Sequence, residues 1–84
     1  MLYYFIICRS LTYAQRTART LERAGISAYI TRAPRSVTAE GCGYGVKIAE
    51  RQLAPALQVL KREGLGPKRV YLLDQAGRYS EVSP

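Results

Sequence analysis

The opening of the chain, residues 2–8, is an unbroken apolar run of mostly aromatic and β-branched side chains, Leu-Tyr-Tyr-Phe-Ile-Ile-Cys. A run of this kind without charges is typical of a central strand that is covered on both faces of a sheet. It is far shorter than the roughly 18 to 20 residues that a membrane span needs, and no small-residue cleavage site accompanies it. We therefore expect the central strand of a sheet, in a cytoplasmic protein with no membrane partner.

A helix is predicted to follow this strand. Ser10 can cap its start, and Thr12 with Gln15 offers an alternative capping box half a turn later. Apolar residues then recur at helical spacing as far as Gly25, a residue suited to the left-handed end of a helix. Residues 26–31 alternate apolar and polar side chains, which predicts a half-buried second strand.

The second half of the chain predicts a strand, a helix and a strand. Residues 44–49 alternate in the manner of a third strand. Pro55 limits the second helix, which should begin no more than about one turn before it and end at Gly64. Residues 69–74 predict a fourth strand, and residues 75–84 are expected to be a polar tail whose structure the sequence leaves open.

The order strand, helix, strand, strand, helix, strand predicts one ferredoxin-like βαββαβ domain over residues 1–74. This is an α+β fold in which two helices cover one face of a four-stranded antiparallel sheet. In such a topology the end of the first strand and the loop between the second and third strands lie at the same end of the sheet. We expect Cys8 and Cys42 there, together with Arg9, Arg32 and Arg35.

The amino-acid composition excludes several kinds of functional site. The 84-residue chain contains two cysteines and no histidine, which excludes a disulfide scaffold, a self-contained metal site and a histidine-dependent hydrolase. We expect no metal and no cofactor, and a thiol carrier or binding protein rather than a stand-alone enzyme. The formal charge of +7, from 13 basic and 6 acidic residues, attracts anions in general, including nucleic acid and acidic proteins.

Cys42 is the most unusual candidate, because Gly41 and Gly43 on either side leave its thiol unshielded and let the loop reach into partner sites. The thiolate is the reactive form, and a helix N-terminus and nearby guanidinium groups lower the pKa of a thiol. The alternative is a small apolar cysteine packed in a tight turn. For Cys8, at the end of a buried strand, packing is the favoured interpretation.

Over nearly all of residues 3–74 the chain resembles a family of short bacterial proteins described as selenium/sulfur carrier-like. The resemblance is carried by the Tyr-Tyr-Phe-Ile-Ile opening strand, Ser10, Ala14 and Leu21 in the first helix, the Ala-Gly-Ile of residues 24–26, Pro34-Arg35 and Cys42-Gly43. It implies that Cys42 takes up sulfur or selenium from a donor protein, as a persulfide or selenopersulfide, and gives it to an acceptor protein. The chain departs from the family pattern at Gly41, where we expect a serine.

Under this hypothesis Arg32 and Arg35 stabilise the anion, and Arg9 adds positive charge at the same end of the sheet. Cys8 is a candidate resolving thiol that could displace the cargo or protect Cys42. That role requires the Cα atoms of the two cysteines to approach within roughly 4.4 to 6.8 Å.

The alternative function is a non-catalytic binding or dimerisation module built on the uncovered face of the sheet. Aromatic and cationic side chains could be displayed there: Tyr29, Tyr71, Lys47 and Arg69, with Tyr3 and Phe5 if the first strand has that register. Such a surface could form a homodimer or bind nucleic acid or another anion. Nucleic acid is less favoured, because the chain has no Gly-Phe-Gly-Phe signature of an RNA-recognition motif.

Overall fold

The structure is a computed structural model that describes residues 2–8, 10–33, 43–67 and 69–82. These residues form an α+β fold, as predicted. The elements in chain order are β1 (Tyr3–Cys8), α1 (Leu11–Arg23), β2 (Tyr29–Arg32), β3 (Tyr44–Ala49), the 3₁₀ turn Glu50–Gln52, α2 (Leu53–Arg62), β4 (Val70–Leu73) and β5 (Tyr79–Val82). The strands lie in the order β2-β3-β1-β4-β5, and each neighbouring pair is antiparallel.

Both ends of α1 are fixed by local chemistry. The backbone N–H of Tyr13 donates to the Ser10 hydroxyl oxygen at 3.1 Å, so Ser10 is the cap and the alternative that starts at Thr12 is wrong. At the other end Gly25 has a φ of 82°, and the Ile26 N–H donates to the Leu21 carbonyl at 3.0 Å. This is a Schellman ending, and it turns the chain back toward β2.

The two helices cover one face of the sheet. The core cluster combines side chains of both helices with those of the central strands: Ala14, Ala18, Leu21, Ala56, Leu60, Ile6, Cys8, Val46, Ile48 and Val70. Pro55 is the third residue of α2, where a proline leaves no intrahelical hydrogen bond unmade. Gly64 ends this helix with a φ of 74°, as predicted.

The sheet has five strands over the described residues, so the prediction of four strands is wrong. The added strand, β5, comes from the segment expected to be a polar tail. Asp74 makes the turn into it: its Oδ1 accepts hydrogen bonds from the backbone N–H groups of Ala76 and Arg78, both at 2.9 Å, and Gly77 has a φ of 82°. An aspartate at the start of the turn and a glycine three residues later close this hairpin. It was not predicted because the segment is mostly polar.

Candidate functional site

Five segments of the described chain meet at one end of the sheet. Cys8 pairs with Tyr44, and Tyr44 also pairs with Arg32 on its other side. The Ile7 N–H donates to the Arg69 carbonyl at 3.3 Å, which brings the start of β4 to the same place, and α1 begins there at Ser10. We call this the basic end of the sheet, defined by Ser10, Arg32, Gly43, Tyr44 and Arg69.

The ends of the loop between β2 and β3 are held together. The backbone N–H of Ala33 donates to the carbonyl of Gly43, one step beyond the Arg32–Tyr44 pair. Gly43, the residue that follows Cys42, is therefore fixed at the basic end, as the sequence predicted for this region. The other predicted site residues Arg9, Arg35, Gly41 and Cys42 lie outside the described residues.

Arg32 and Tyr44 form the best-defined contact of the basic end. The Arg32 guanidinium carbon lies 5.7 Å from the centroid of the Tyr44 ring, within the range of a cation–π interaction. The Tyr44 ring packs against the core, whereas Arg32 is exposed. The cation is thus positioned by a ring that the core immobilises, and it still faces solvent.

Cys8 points into the core and does not face solvent. Only 2% of the residue is exposed, and it belongs to the core cluster beneath α1. Its Sγ lies 3.7 Å from the Ile6 carbonyl oxygen and 4.0 Å from Oγ1 of the buried Thr17. Cys8 is therefore packed in the core, where its thiol is covered, and a resolving role for it stays a prediction.

The described charges are distributed unevenly between the two ends of the sheet. At the end of the sheet that includes the basic end, and counting the end of α2, the described residues include four cations and one acidic residue: Arg32, Arg69, Lys61, Arg62 and Glu63. The opposite end holds three of each sign: Arg23, Arg51, Arg78, Glu22, Glu50 and Asp74. The start of α1 brings the positive end of its dipole to the first group and the end of α2 brings the negative end of its own dipole there, so the difference between the two ends is carried by the side chains. An anion near Gly43 is therefore in a more positive field than one at the other end.

The face of the sheet away from the helices carries the predicted aromatic and cationic set. Tyr29, Lys47, Phe5 and Tyr71 stand in one cross-strand row that ends at Glu81. Lys47 Nζ lies 4.3 Å from the ring centroid of Tyr3, which shares this face. The predicted placement of these side chains is confirmed.

Part of this face is already covered by a residue of β5. Phe5 is fully buried although it points away from the helices. Tyr79 of β5 packs edge-on against it, with ring centroids 5.7 Å apart and planes at 75°. Dimerisation or nucleic-acid binding through this face stays a prediction.

Two structural features are absent from the described parts of the chain. Among residues 2–8, 10–33, 43–67 and 69–82, no three Cys, Asp or Glu side chains come together as a metal-binding group. Neither described helix has the length and apolar character to cross a membrane.

Together, the fold and the basic end define a small α+β protein in which Ala33 and Gly43, the described residues on either side of residues 34–42, are joined at the positively charged end of an antiparallel sheet. The chain belongs to the family described as "Putative Se/S carrier protein-like", whose model matches residues 3–72. This confirms the resemblance drawn from the sequence. No curated protein and no solved structure matches the chain.

Proposed function

We propose that the protein is a sulfur or selenium carrier in which Cys42 holds the cargo, and that it works in the cytoplasm between a donor and an acceptor protein. The observation that carries the proposal is the family match over residues 3–72. The resemblance to the family implies that the Cys-Gly pair, Cys42-Gly43 in this chain, is the position proposed for the cargo-bearing thiol.

The transfer is a thiol exchange that leaves the overall oxidation state unchanged. The Cys42 thiolate attacks the outer sulfur of a donor persulfide, a new S–S bond forms, and the donor's own S–S bond breaks so that the donor leaves as a thiolate. The persulfide hydrogen stays with the transferred sulfur. A selenopersulfide reacts in the same way through its selenium atom. An acceptor nucleophile then attacks the outer atom, and Cys42 leaves as a thiolate.

The basic end supports this chemistry electrostatically. The step requires an anionic sulfur on Cys42 before and after transfer, and positive charge favours the anionic form of a thiol. Arg32 and the N-terminus of α1 lie at the end of the sheet where Gly43 is fixed. We further propose that Arg35 and Arg9 add to this field, as their positions in the sequence imply.

Cys8 does not enter this proposed cycle as a surface nucleophile. Its burial beneath α1 supports a packing role, so a resolving function would first require the core to open. The cargo therefore leaves by attack of the acceptor alone.

We also infer that the first four strands form a ferredoxin-like unit. The inference rests on the order β2-β3-β1-β4 and on the helices that cover one face. In this view β5 is an addition at the β4 side, and its last described residue, Val82, pairs with Val70 next to Arg69.

The proposal is tested by loading the protein with glutathione persulfide and measuring its intact mass under denaturing conditions without reductant. The native chain and Cys8→Ser should each gain one sulfur atom that a reductant removes, and Cys42→Ser should gain none. Loading of Arg32→Gln should be slower by up to about five-fold, the effect expected for a partly screened charge, whereas Arg16→Gln on α1 should match the native rate. Equal loading of Cys42→Ser and the native chain would refute the carrier role of Cys42.

A further inference from the structure

The edge strand β2 presents apolar side chains to solvent. The described residues include three large hydrophobic side chains with high exposure, and two of them are on β2: Tyr29, 62% exposed, and Ile30, 39% exposed. Tyr29 lies on the open face and Ile30 on the helix face, so both sides of the strand are apolar near its middle. Natural edge strands usually carry charges or bulges that discourage pairing with another strand.

The hydrogen bonds of β2 show which of its backbone groups are unused by the sheet. Ala33 donates to Gly43 directly opposite, so this is a hydrogen-bonded pair of the antiparallel ladder. Such pairs alternate, and Thr31 and Tyr29 therefore bond inward to β3. The N–H and C=O groups of Ile30 and Arg32 point outward, away from the sheet.

The other edge strand, β5, is protected by its side chains. Its two central residues, Ser80 and Glu81, are polar and exposed. A carboxylate on an edge strand disfavours the approach of a second sheet because it would have to be desolvated. Among the described residues, this contrast indicates that β2 is the edge open to pairing.

We propose that a second copy of this chain pairs antiparallel with β2, so that Ile30 lies opposite Ile30 of the second copy. In this register Ala28 lies opposite Arg32 of the second copy. The Ile30–Ile30 pair and the two Ala28–Arg32 pairs are hydrogen-bonded through the backbone N–H and C=O groups that point away from β3. The two-fold axis passes between the isoleucines. The result is a continuous ten-stranded sheet with all four helices on one face.

Charge complementarity favours this register and favours a second copy of the chain as the partner of β2. Glu22 lines a shallow cavity of about 300 Å³ together with Ala28 and Tyr29. Arg32 of the second copy, opposite Ala28 and on the helix face, is brought next to Glu22. The symmetry produces this ion pair twice, while the Ile30 side chains cover each other at the centre.

The pairing also reaches the basic end. It places Glu22 of the second copy beside Arg32, and an acidic group there lowers the positive field around Gly43. The dimer itself depends only on β2 and α1, so it does not rest on the proposed carrier function.

The expected dimer is weak, because a pair of four-residue strands buries far less than the roughly 800 Å² per partner of a standard interface. We expect a dissociation constant on the order of 100 µM. Sedimentation velocity of the full chain from about 10 µM to about 1 mM covers the transition.

The charge swap is the decisive test. Glu22→Arg and Arg32→Glu should each weaken the dimer about ten-fold, because each turns two attractive contacts into repulsive ones. The double variant should restore it to within about three-fold of the native value. Glu81→Arg and Arg78→Glu make the same changes in net charge away from β2 and should leave it unaltered. A native chain that stays monomeric at about 1 mM, or a double variant as weak as the single ones, would overturn the proposal.

Hydrogen exchange of the backbone amides tests the strand pairing separately from the charge contacts. On raising the concentration, the amides of Ile30 and Arg32 should gain protection, whereas those of Tyr29 and Thr31 should be protected at every concentration. Equal gains at all four amides, or gains confined to the open face around Tyr71, would show that another surface associates and that the β2 proposal is wrong.

Discussion

Gly45 offers the most demanding test of how the open face is packed. A Cβ atom at this position would lie 2.5 Å from two ring carbons of Phe5 and 2.6 Å from the carbonyl oxygen of Ile6. The Phe5 ring is fully buried and held by Tyr79, and the Ile6 oxygen belongs to the backbone of the central strand. Neither neighbour can move away without disturbing the sheet.

The expected effect of Gly45→Ala is a loss of stability of about 2 kcal/mol. Overpacking of a buried site typically costs about 1 to 3 kcal/mol, and here one of the two neighbours is backbone. An alanine in a strand otherwise gains about 0.5 to 1 kcal/mol over glycine, so the structure predicts the opposite sign from intrinsic propensity. For a domain of this size the loss corresponds to a Tm lower by about 8 to 16 °C.

Urea unfolding followed by circular dichroism measures this change. Gly66→Ala is the matched control, because nothing lies within 4 Å of its Cβ position. Adding Phe5→Leu should make the Gly45→Ala step smaller by at least about 0.5 kcal/mol, since the ring carbons are gone. A neutral or stabilising Gly45→Ala, or a step unchanged by Phe5→Leu, would refute the described packing of Phe5 over Gly45.

Three further substitutions test other parts of the fold by the same unfolding measurement. Ser10→Ala should cost about 1 kcal/mol through loss of the α1 cap, whereas Thr12→Ala should be nearly neutral; equal losses would contradict the capping assignment. Cys8→Ala removes one buried heavy atom and should cost about 0.5 to 1.5 kcal/mol, and an unchanged midpoint would contradict its place in the core. Tyr79→Ala should cost about 2 kcal/mol by exposing Phe5, and a neutral result would mean that β5 contributes nothing to the sheet.

Elements with strong local signals could be predicted closely from the sequence. The alternation over residues 44–49 gives β3 its observed bounds, and Ser10 and Gly25 mark the two ends of α1 by their own hydrogen bonding and conformation. Pro55 restricts the start of α2 because it can occupy only the first turn. In each case one residue or one short pattern determines the geometry.

The incorrect predictions concern strands whose presence or position depends on tertiary contacts. Strand β5 depends on an aspartate-centred turn and on pairing with β4, because its four residues, in the order apolar, polar, polar, apolar, are a weak signal without that partner. Strand β2 begins at Tyr29 rather than residue 26, and Ile30 is exposed because the strand is at an edge. Alternation in the sequence indicates a strand, but it does not indicate the position of that strand in the sheet.

The arrangement of strand and helix ends around Gly43 was predictable from the element order. The topology brought the end of β1, the end of β2, Gly43 and the start of α1 together as expected. The contact between Arg32 and Tyr44 was not predicted, because the register that pairs them follows from the fold and leaves no mark in the local sequence.

Our proposal is that Cys42 is a reactive, anion-stabilised thiol, whereas Cys8 is buried. It is tested most directly by the rate of alkylation against pH, read by intact mass, in two variants that each keep one cysteine. In Cys8→Ser, the rate should reach half its maximum at a pH below about 8.5, the value of an unperturbed thiol, because the positive field favours the thiolate. In Cys42→Ser, Cys8 should stay unmodified until the protein is denatured. A Cys42 that titrates at or above about 8.5, or a Cys8 alkylated as fast as Cys42 in the native fold, would contradict the account.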